Sequence, residues 1–256
     1  MEKFGPVFAH LNKLGYHAAS LDWRGQGLSD RLHRNPRLGH VENFNDYQMD
    51  IDCFLEFLRE QGIKSYSYLL AHSMGGAIGM DALNNGLRVE KAIFSAPMWD
   101  IAVQGWKREF LAFYVRYLGG AMFLHSKIPT TPYRNSSITD PFEGNTLTNS
   151  RKEYAHRREQ IVKYPDLELA GPTVNWVVQS FKSTARIRRR PPPDIPMLCI
   201  MGEAETIVSP ETIADLDQKW PNMKIVYLAD AQHELFLETP KVTKKLWAAI
   251  EDFIKT

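Results

Sequence analysis

The chain has 256 residues, 44% hydrophobic and 24% charged, which suits one globular domain with a full core and room for an inserted subdomain. Its 31 basic and 30 acidic residues leave a formal charge of +1, which argues against a nucleic-acid binder or a charged disordered tail. The two cysteines, Cys53 and Cys199, are too few for a disulfide framework or a cysteine metal site, and both lie in apolar runs that read as core.

The opening segment sets Phe4, Val7, Phe8, Leu11 and Leu14 on one helical face, with Gly15 as a stop. His17 to Asp22 then reads as a short buried strand, followed by a glycine-rich loop, Trp23-Arg24-Gly25-Gln26-Gly27. A second amphipathic helix carries Phe44, Tyr47, Ile51, Phe54, Leu55 and Leu58 and ends near Gly62. A strand over Tyr66 to Ala71, a helix from Met74 to Leu83 and a strand over Lys91 to Ala96 continue the alternation that marks a parallel sheet covered by helices.

That rhythm stops over 99–194. This stretch has aromatic helical segments (Trp106, Phe110, Phe113, Tyr114, Tyr117), polar loops and a stiff closing run, Arg188-Arg189-Arg190-Pro191-Pro192-Pro193. It then resumes with a strand over Pro196 to Met201, a helix over Pro210 to Trp220, a strand over Lys224 to Leu228, and a last helix with Val242, Leu246, Ile250, Phe253 and Ile254. The reading is a discontinuous α/β core, 1–98 and 195–256, interrupted by a mainly helical insertion. No apolar run approaches the roughly 20 residues that span a bilayer. The start also lacks a basic-then-apolar leader profile, so a cytoplasmic protein is expected.

Ala71-His72-Ser73-Met74-Gly75-Gly76 falls between a strand and a helix. A serine hydroxyl is a poor nucleophile at neutral pH and must be exposed beside a base, which a tight strand-to-helix turn with small neighbours achieves. The Met74 N–H, at the helix start, is placed to hold an oxyanion. Such a nucleophile needs an acid and then a histidine on loops after later strands. Glu205, in Met201-Gly202-Glu203-Ala204-Glu205, and His233, in Asp230-Ala231-Gln232-His233-Glu234, stand in that order. Asp100, just after the Lys91 to Ala96 strand, is the alternative acid. His72 reads as a packing or hydrogen-bonding residue, and no metal or cofactor is expected.

These residues resemble the lysophospholipase and monoacylglycerol-lipase branch of the α/β hydrolases, also labelled serine aminopeptidase-like, and most of all the bacterial lysophospholipases. Its most specific pieces are Leu21-Asp22-Trp23-Arg24-Gly25-Gln26-Gly27-Leu28-Ser29-Asp30, Ala71 to Gly76 and His233-Glu234. Phe142-Glu143-Gly144-Asn145 and Gly171-Pro172-Thr173-Val174 match less specifically. The resemblance implies an α/β-hydrolase fold with 99–194 as a cap over an acyl pocket. It also implies hydrolysis of a lysophospholipid, monoacylglycerol or related acyl ester through an acyl-enzyme. In this family Asp is more usual where Glu205 stands. The family also begins with three strands and a His-Gly loop supplying a second oxyanion N–H, so the chain is expected to be N-terminally truncated, with one strand missing beside Tyr66 to Ala71. A peptidase or amidase using the same triad, and a catalytically silent binding protein, remain open. The Asp22 to Asp30 loop is expected to fix backbone near the site rather than do chemistry. Arg186 to Arg190, with Arg157 and Arg158, read as a solvated cap edge, the alternative being peripheral contact with anionic lipid headgroups.

Overall fold

The structure is a computed structural model that describes residues 2–103, 109, 121–128 and 140–256. The aromatic run Trp106, Phe110, Phe113, Tyr114 and Tyr117 lies outside the described residues. In chain order the elements are α1 (Gly5–Lys13), β1 (Leu38–Gly39), α2 (Asp46–Glu60), β2 (Tyr68–His72), α3 (Met74–Asn84), β3 (Lys91–Ser95), α4 (Ala121–Leu124), α5 (Arg151–Lys163), β4 (Gly171–Pro172), α6 (Val174–Arg189), β5 (Met197–Gly202), α7 (Pro210–Asp217), β6 (Met223–Leu228) and α8 (Pro240–Lys255).

Four strands form one parallel sheet in the order β2-β3-β5-β6, with Ala71 opposite Phe94, Phe94 opposite Cys199 and Cys199 opposite Ile225. Because side chains alternate along a strand, the sheet feeds two cores. Ala92, Phe94, Met197, Cys199 and Met201 face a cluster with α2, α3 and α7 that includes Tyr47, Ile78, Trp99, Ile213 and Trp220. Ile93, Leu198 and Ile200 face the other way, onto Val7 of α1 and Val242, Leu246, Ile250 and Phe253 of α8. Parallel strands covered on both faces read as continuous apolar runs, and β5 is buried along its whole length.

Two expectations fail. His17 to Asp22 is not a strand: it pairs with nothing in a ladder, and most of its residues are half-buried or exposed. A strand exists only through its ladder. This segment is instead held by Tyr16 packing edge-on against Tyr68 at 5.4 Å and by the loop that follows. Among the described residues, β2 is therefore an edge of the sheet. Cys53 is exposed whereas Cys199 is buried. The inward stripe of α2 runs through Tyr47, Ile51 and Leu58, and Cys53, two residues on from Ile51, is rotated away from it.

Between β3 and β5, α6 is clamped to the sheet side. Ser183 donates to Asp81 at 2.9 Å, Arg186 pairs with Asp81 at 2.5 Å, Arg188 pairs with Asp100 at 3.0 Å, and Arg190 donates to Asn85 at 3.1 Å. Arg186, Arg188 and Arg190 of the basic run thus bond to protein, while Arg189 is exposed. A second small sheet, unforeseen in the sequence, pairs β1 with β4, Leu38 opposite Gly171 and Gly39 opposite Pro172. No helix among the described residues is long and apolar enough to cross a membrane.

Candidate active site

β2 ends at His72 and α3 begins at Met74, leaving Ser73 alone in the turn at φ 52°, ψ −121°. A non-glycine residue there is strained, and the surroundings must hold it. The Ser73 N–H donates to Ser95 O at 3.1 Å, while its carbonyl accepts from Gly76 N at 2.8 Å and Met98 N at 2.9 Å. The helix must pass close to the next strand's end, so a Cβ on Gly76 would lie 2.6 Å from Pro97 Cβ. Gly75 has open space instead. Met74 N–H is in the first turn of α3, where helix N–H groups have no intrahelical acceptor.

His233 meets this turn from the loop after β6. Its Nε2 lies 2.8 Å from Ser73 Oγ and its Nδ1 lies 2.7 Å from Glu205 Oε2. The other Glu205 oxygen accepts the N–H groups of Ile207 at 2.6 Å and Val208 at 3.2 Å. Burial pushes the Glu205 carboxyl up, but the hydrogen bond and charge of His233 and the two N–H donors outweigh it and hold it below its ordinary value. The carboxylate therefore stays ionised, fixes the imidazole and can stabilise its cation. Asp100 is engaged elsewhere, by Arg188 and by the N–H of Ile101 at 2.8 Å. The structure thus brings Ser73, His233, Glu205 and the Met74 N–H together and leaves Asp100 out.

The loop Asp22 to Asp30 lies against the same turn, with Gln26 Nε2 donating to Met74 Sδ at 3.3 Å. Arg24 is bound to Asp50 of α2 at 2.7 Å, and Asp22 accepts Leu28 N at 2.9 Å across Gly27, where a Cβ would strike the Asp22 carboxylate. Its glycines and charges hold backbone in place, as expected.

Two features escaped sequence reasoning. Glu238, 2% exposed, accepts from Gln232 N at 2.9 Å, Asn149 N at 3.0 Å and Thr239 N at 3.1 Å, tying the His233 loop to the chain near Leu147, whose carbonyl accepts Glu234 N at 2.8 Å. Behind the triad, Lys3 Nζ lies 2.7 Å from one Glu234 oxygen and His72 Nε2 lies 3.3 Å from the other, the latter without hydrogen-bond alignment. His72 Nδ1 is 3.0 Å from Ser95 O, and its ring centre is 5.0 Å from that of His233. Burial pushes Glu234 up, but Lys3 and His72 together hold it well below the usual carboxylate range, whereas burial pushes His72 down. The only sequence signal for these contacts was the Glu following His233.

A parallel sheet under helices, with a strained serine after one strand and its histidine and glutamate after later ones, defines an α/β hydrolase. The chain belongs to the serine aminopeptidase S33 family, whose profile matches residues 1–240. It is 32% identical to lysophospholipase L2 of Escherichia coli K12 over 214 residues, 80% of this chain and 60% of that protein, so it spans less than two thirds of that relative's length. It is 29% identical to the probable lysophospholipase L2 of Haemophilus influenzae over 246 residues, 94% of this chain and 75% of that protein. Its fold is similar to those of two solved structures, each with a TM-score of 0.71 and 18% identity over 99% of this chain. One is the Paleococcus ferrophilus monoacylglycerol lipase, covered to 89%, and the other a soluble variant of Saccharomyces cerevisiae monoglyceride lipase in complex with a substrate analog, covered to 82%.

Proposed function

We propose that the chain is a serine carboxylic-ester hydrolase with Ser73 as nucleophile, His233 as general base, Glu205 as the orienting acid and the Met74 N–H as an oxyanion donor. The observation that carries this reading is the unbroken relay from Glu205 Oε2 through His233 to Ser73 Oγ, at 2.7 and 2.8 Å. Ser73 Oγ attacks the ester carbonyl as its proton passes to His233 Nε2, and the tetrahedral oxyanion forms at the positive end of α3. Collapse breaks the ester bond, and the leaving alkoxide takes the proton from His233. Water, deprotonated by the same nitrogen, then attacks the acyl-serine, and collapse breaks the bond to Ser73 Oγ, which takes the proton back from His233 as the carboxylic acid is released.

Lysophospholipid or monoacylglycerol is the proposed substrate class, supported by the names of the similar proteins, and 99–194 is the proposed cap over the acyl chain. The family's description favours a second reading, a peptidase using the same residues. Two unpaired cysteines support a cytoplasmic setting. A fluorophosphonate probe, followed by fatty-acid release from lysophosphatidylcholine and monoacylglycerol and amine release from an aminoacyl amide, tests the nucleophile and the substrate class. The wild type is expected to label and to cleave the two lipids, and Ser73→Ala to do neither while melting at the same temperature. Labelling that survives in Ser73→Ala would remove Ser73 from the mechanism, and cleavage of the amide alone would favour the peptidase.

A further inference from the structure

Away from the triad, three side chains converge on one point. Glu42 Oε1 lies 3.2 Å from His40 Nε2 and 3.4 Å from His125 Nε2, and the potential donor atoms of the three all lie within 4.8 Å of one another. Two imidazole nitrogens and a carboxylate oxygen at about 2.0–2.2 Å from a tetrahedral ion stand some 3.3–3.5 Å apart along each edge. Two of the three edges, at 3.2 and 3.4 Å, lie within about 0.1 Å of that range.

The backbone fixes this convergence. β1 pairs with β4, and Thr173 N donates to Gly39 O at 2.9 Å, which seats His40 just beyond β1. From the other side, Val174 N donates to Ser126 O at 2.9 Å and Lys127 bridges to Thr173, which seats His125. Asn175 Nδ2 donates to the carbonyls of Val41 at 2.7 Å and Glu42 at 3.1 Å, holding the chain that carries Glu42. One stretch, Gly171 to Asn175, therefore sets all three positions.

The chemistry of His40 suits a ligand. It is 1% exposed, and its Nδ1 lies 2.8 Å from Thr173 Oγ1, which also accepts the Trp176 N–H as the N-cap of α6. An imidazole donating Nδ1–H to Thr173 presents a bare Nε2 to the cluster, the arrangement in which a second partner fixes the tautomer of a metal-bound histidine. In that tautomer Nε2 faces Glu42 Oε1 at 3.2 Å with no proton between them, a gap a cation would bridge, whereas in the other tautomer Nε2–H donates to Glu42. His33 stands beside the group, its ring 5.6 Å from His40 and 6.0 Å from His125, but its Nδ1 accepts Asn35 N at 3.0 Å.

We propose that His40, Glu42 and His125 form a divalent transition-metal site, best matched by Zn²⁺, that clasps the loop after β1 to the segment after α4. Two imidazoles and one carboxylate favour Zn²⁺ and its first-row neighbours over Ca²⁺ or Mg²⁺. The site shares no residue with the triad and is independent of the proposed reaction.

The experiment is titration of tag-free, EDTA-treated full chain with Zn²⁺ by calorimetry, with Co²⁺ absorption reporting coordination geometry and a thermal melt at each step. The expected result is one Zn²⁺ per chain at micromolar affinity or tighter, intense tetrahedral Co²⁺ bands, and a melting temperature raised by Zn²⁺ but not by Mg²⁺. His40→Ala could fail to fold, so the deciding variants are Glu42→Gln and His125→Ala, whose side chains are 67% and 41% exposed. Each is expected to keep the apo melt and weaken Zn²⁺ at least tenfold. Absence of saturable binding, or unchanged affinity in both variants, would overturn the site.

Discussion

The two loops that meet at the candidate active site are built on different principles. The Ser73 turn is held by backbone and by absence of side chain. Its strained φ is secured by hydrogen bonds to Ser95, Gly76 and Met98, all within a hairsbreadth of β2, α3 and the end of β3, and Gly76 makes the close approach to Pro97 fit. The His233 loop is held by buried carboxylates that reach across the chain: Glu205 to its ring, Glu238 to Gln232 and to Asn149, and Glu234 to Lys3. The first design is steric and local, and the second is electrostatic and long-range. The two should therefore fail differently, the turn through added volume and the histidine loop through lost charge.

The largest effect is expected where the second design touches chemistry. Glu205→Gln keeps the shape but offers Nδ1 of His233 either a wrong tautomer or no charge, and turnover of a lipid ester should fall about 10⁴-fold. Asp100→Asn should leave turnover within a few fold and act on stability through Arg188 instead. Steady-state assays on both variants check this, and a crippled Asp100→Asn beside an active Glu205→Gln would reverse the assignment.

Volume is the test of the turn. Gly76→Ala should cost about 1–3 kcal/mol, because the new methyl would lie 2.6 Å from Pro97 Cβ and the packed end of β3 must shift. Gly75→Ala, one residue away in open space, should be neutral or stabilise by about 0.5–1 kcal/mol through helix propensity. Urea melts of the pair separate steric design from a general intolerance of the turn, since equal losses would mean that the contact at Gly76 is not what matters.

This contrast also explains what could be read in the sequence. The Ser73 turn was legible because its signals are adjacent: a strand, a serine, two glycines and a helix. The parallel strands were legible because both faces of β3 and β5 are buried, which writes continuous apolar runs such as Met197 to Met201. His17 to Asp22 has the same apolar start but no ladder, and strand pairing is not encoded within a segment. Cys53 looked like core because it sits among apolar neighbours, although its helical phase points outward. Glu238, Lys3 and the β1-β4 pair left no trace because each acts on residues far away in the chain, and nothing local marks a glutamate that accepts the N–H of Asn149, 89 residues away. Glu205 and His233 were found by chain order relative to the strands, a topological rule rather than a local one.

Glu238→Gln tests the long-range design away from the chemistry. The amide can still accept from two N–H groups, but its NH₂ now faces a third donor, and an unsatisfied buried group of this kind costs about 1–3 kcal/mol. Loosening the loop should also lower kcat more than it raises KM, since substrate contacts are untouched while the base is misplaced. A variant with lower stability but full kcat would show that Glu238 serves the fold alone.

The smallest effect, and the most specific to charge, is in the acid limb of stability. The folded-state value of Glu234 is well below its ordinary one, despite burial, because Lys3 and His72 flank it and His233 adds to the positive side. A depressed carboxylate contributes stability that is fully present above its unfolded value and is lost as pH falls through the folded one, because the unfolded chain takes up the proton first. With an unfolded value near 4.3, lowering the pH from 7 to 4 should remove a small part of the stability through Glu234 alone, and more below that. Glu205 has the same sign, as does the depressed His72, whose contribution begins nearer 6.5, so the wild-type curve is a sum. The informative quantity is the difference between wild type and Glu234→Gln, measured by urea melts from pH 7 to 4. Glu234→Gln should start less stable, with Lys3 left without its partner, and then lose less stability on acidification. His72 is coupled to Glu234, so Lys3→Met serves as the second arm: it removes the flanking cation, lets the folded Glu234 value rise toward the unfolded one, and should shrink the acid loss and end it at a higher pH. Parallel curves for wild type and Glu234→Gln would mean that Glu234 titrates alike in the folded and unfolded chain, and that the histidine loop is held by shape, as the serine turn is.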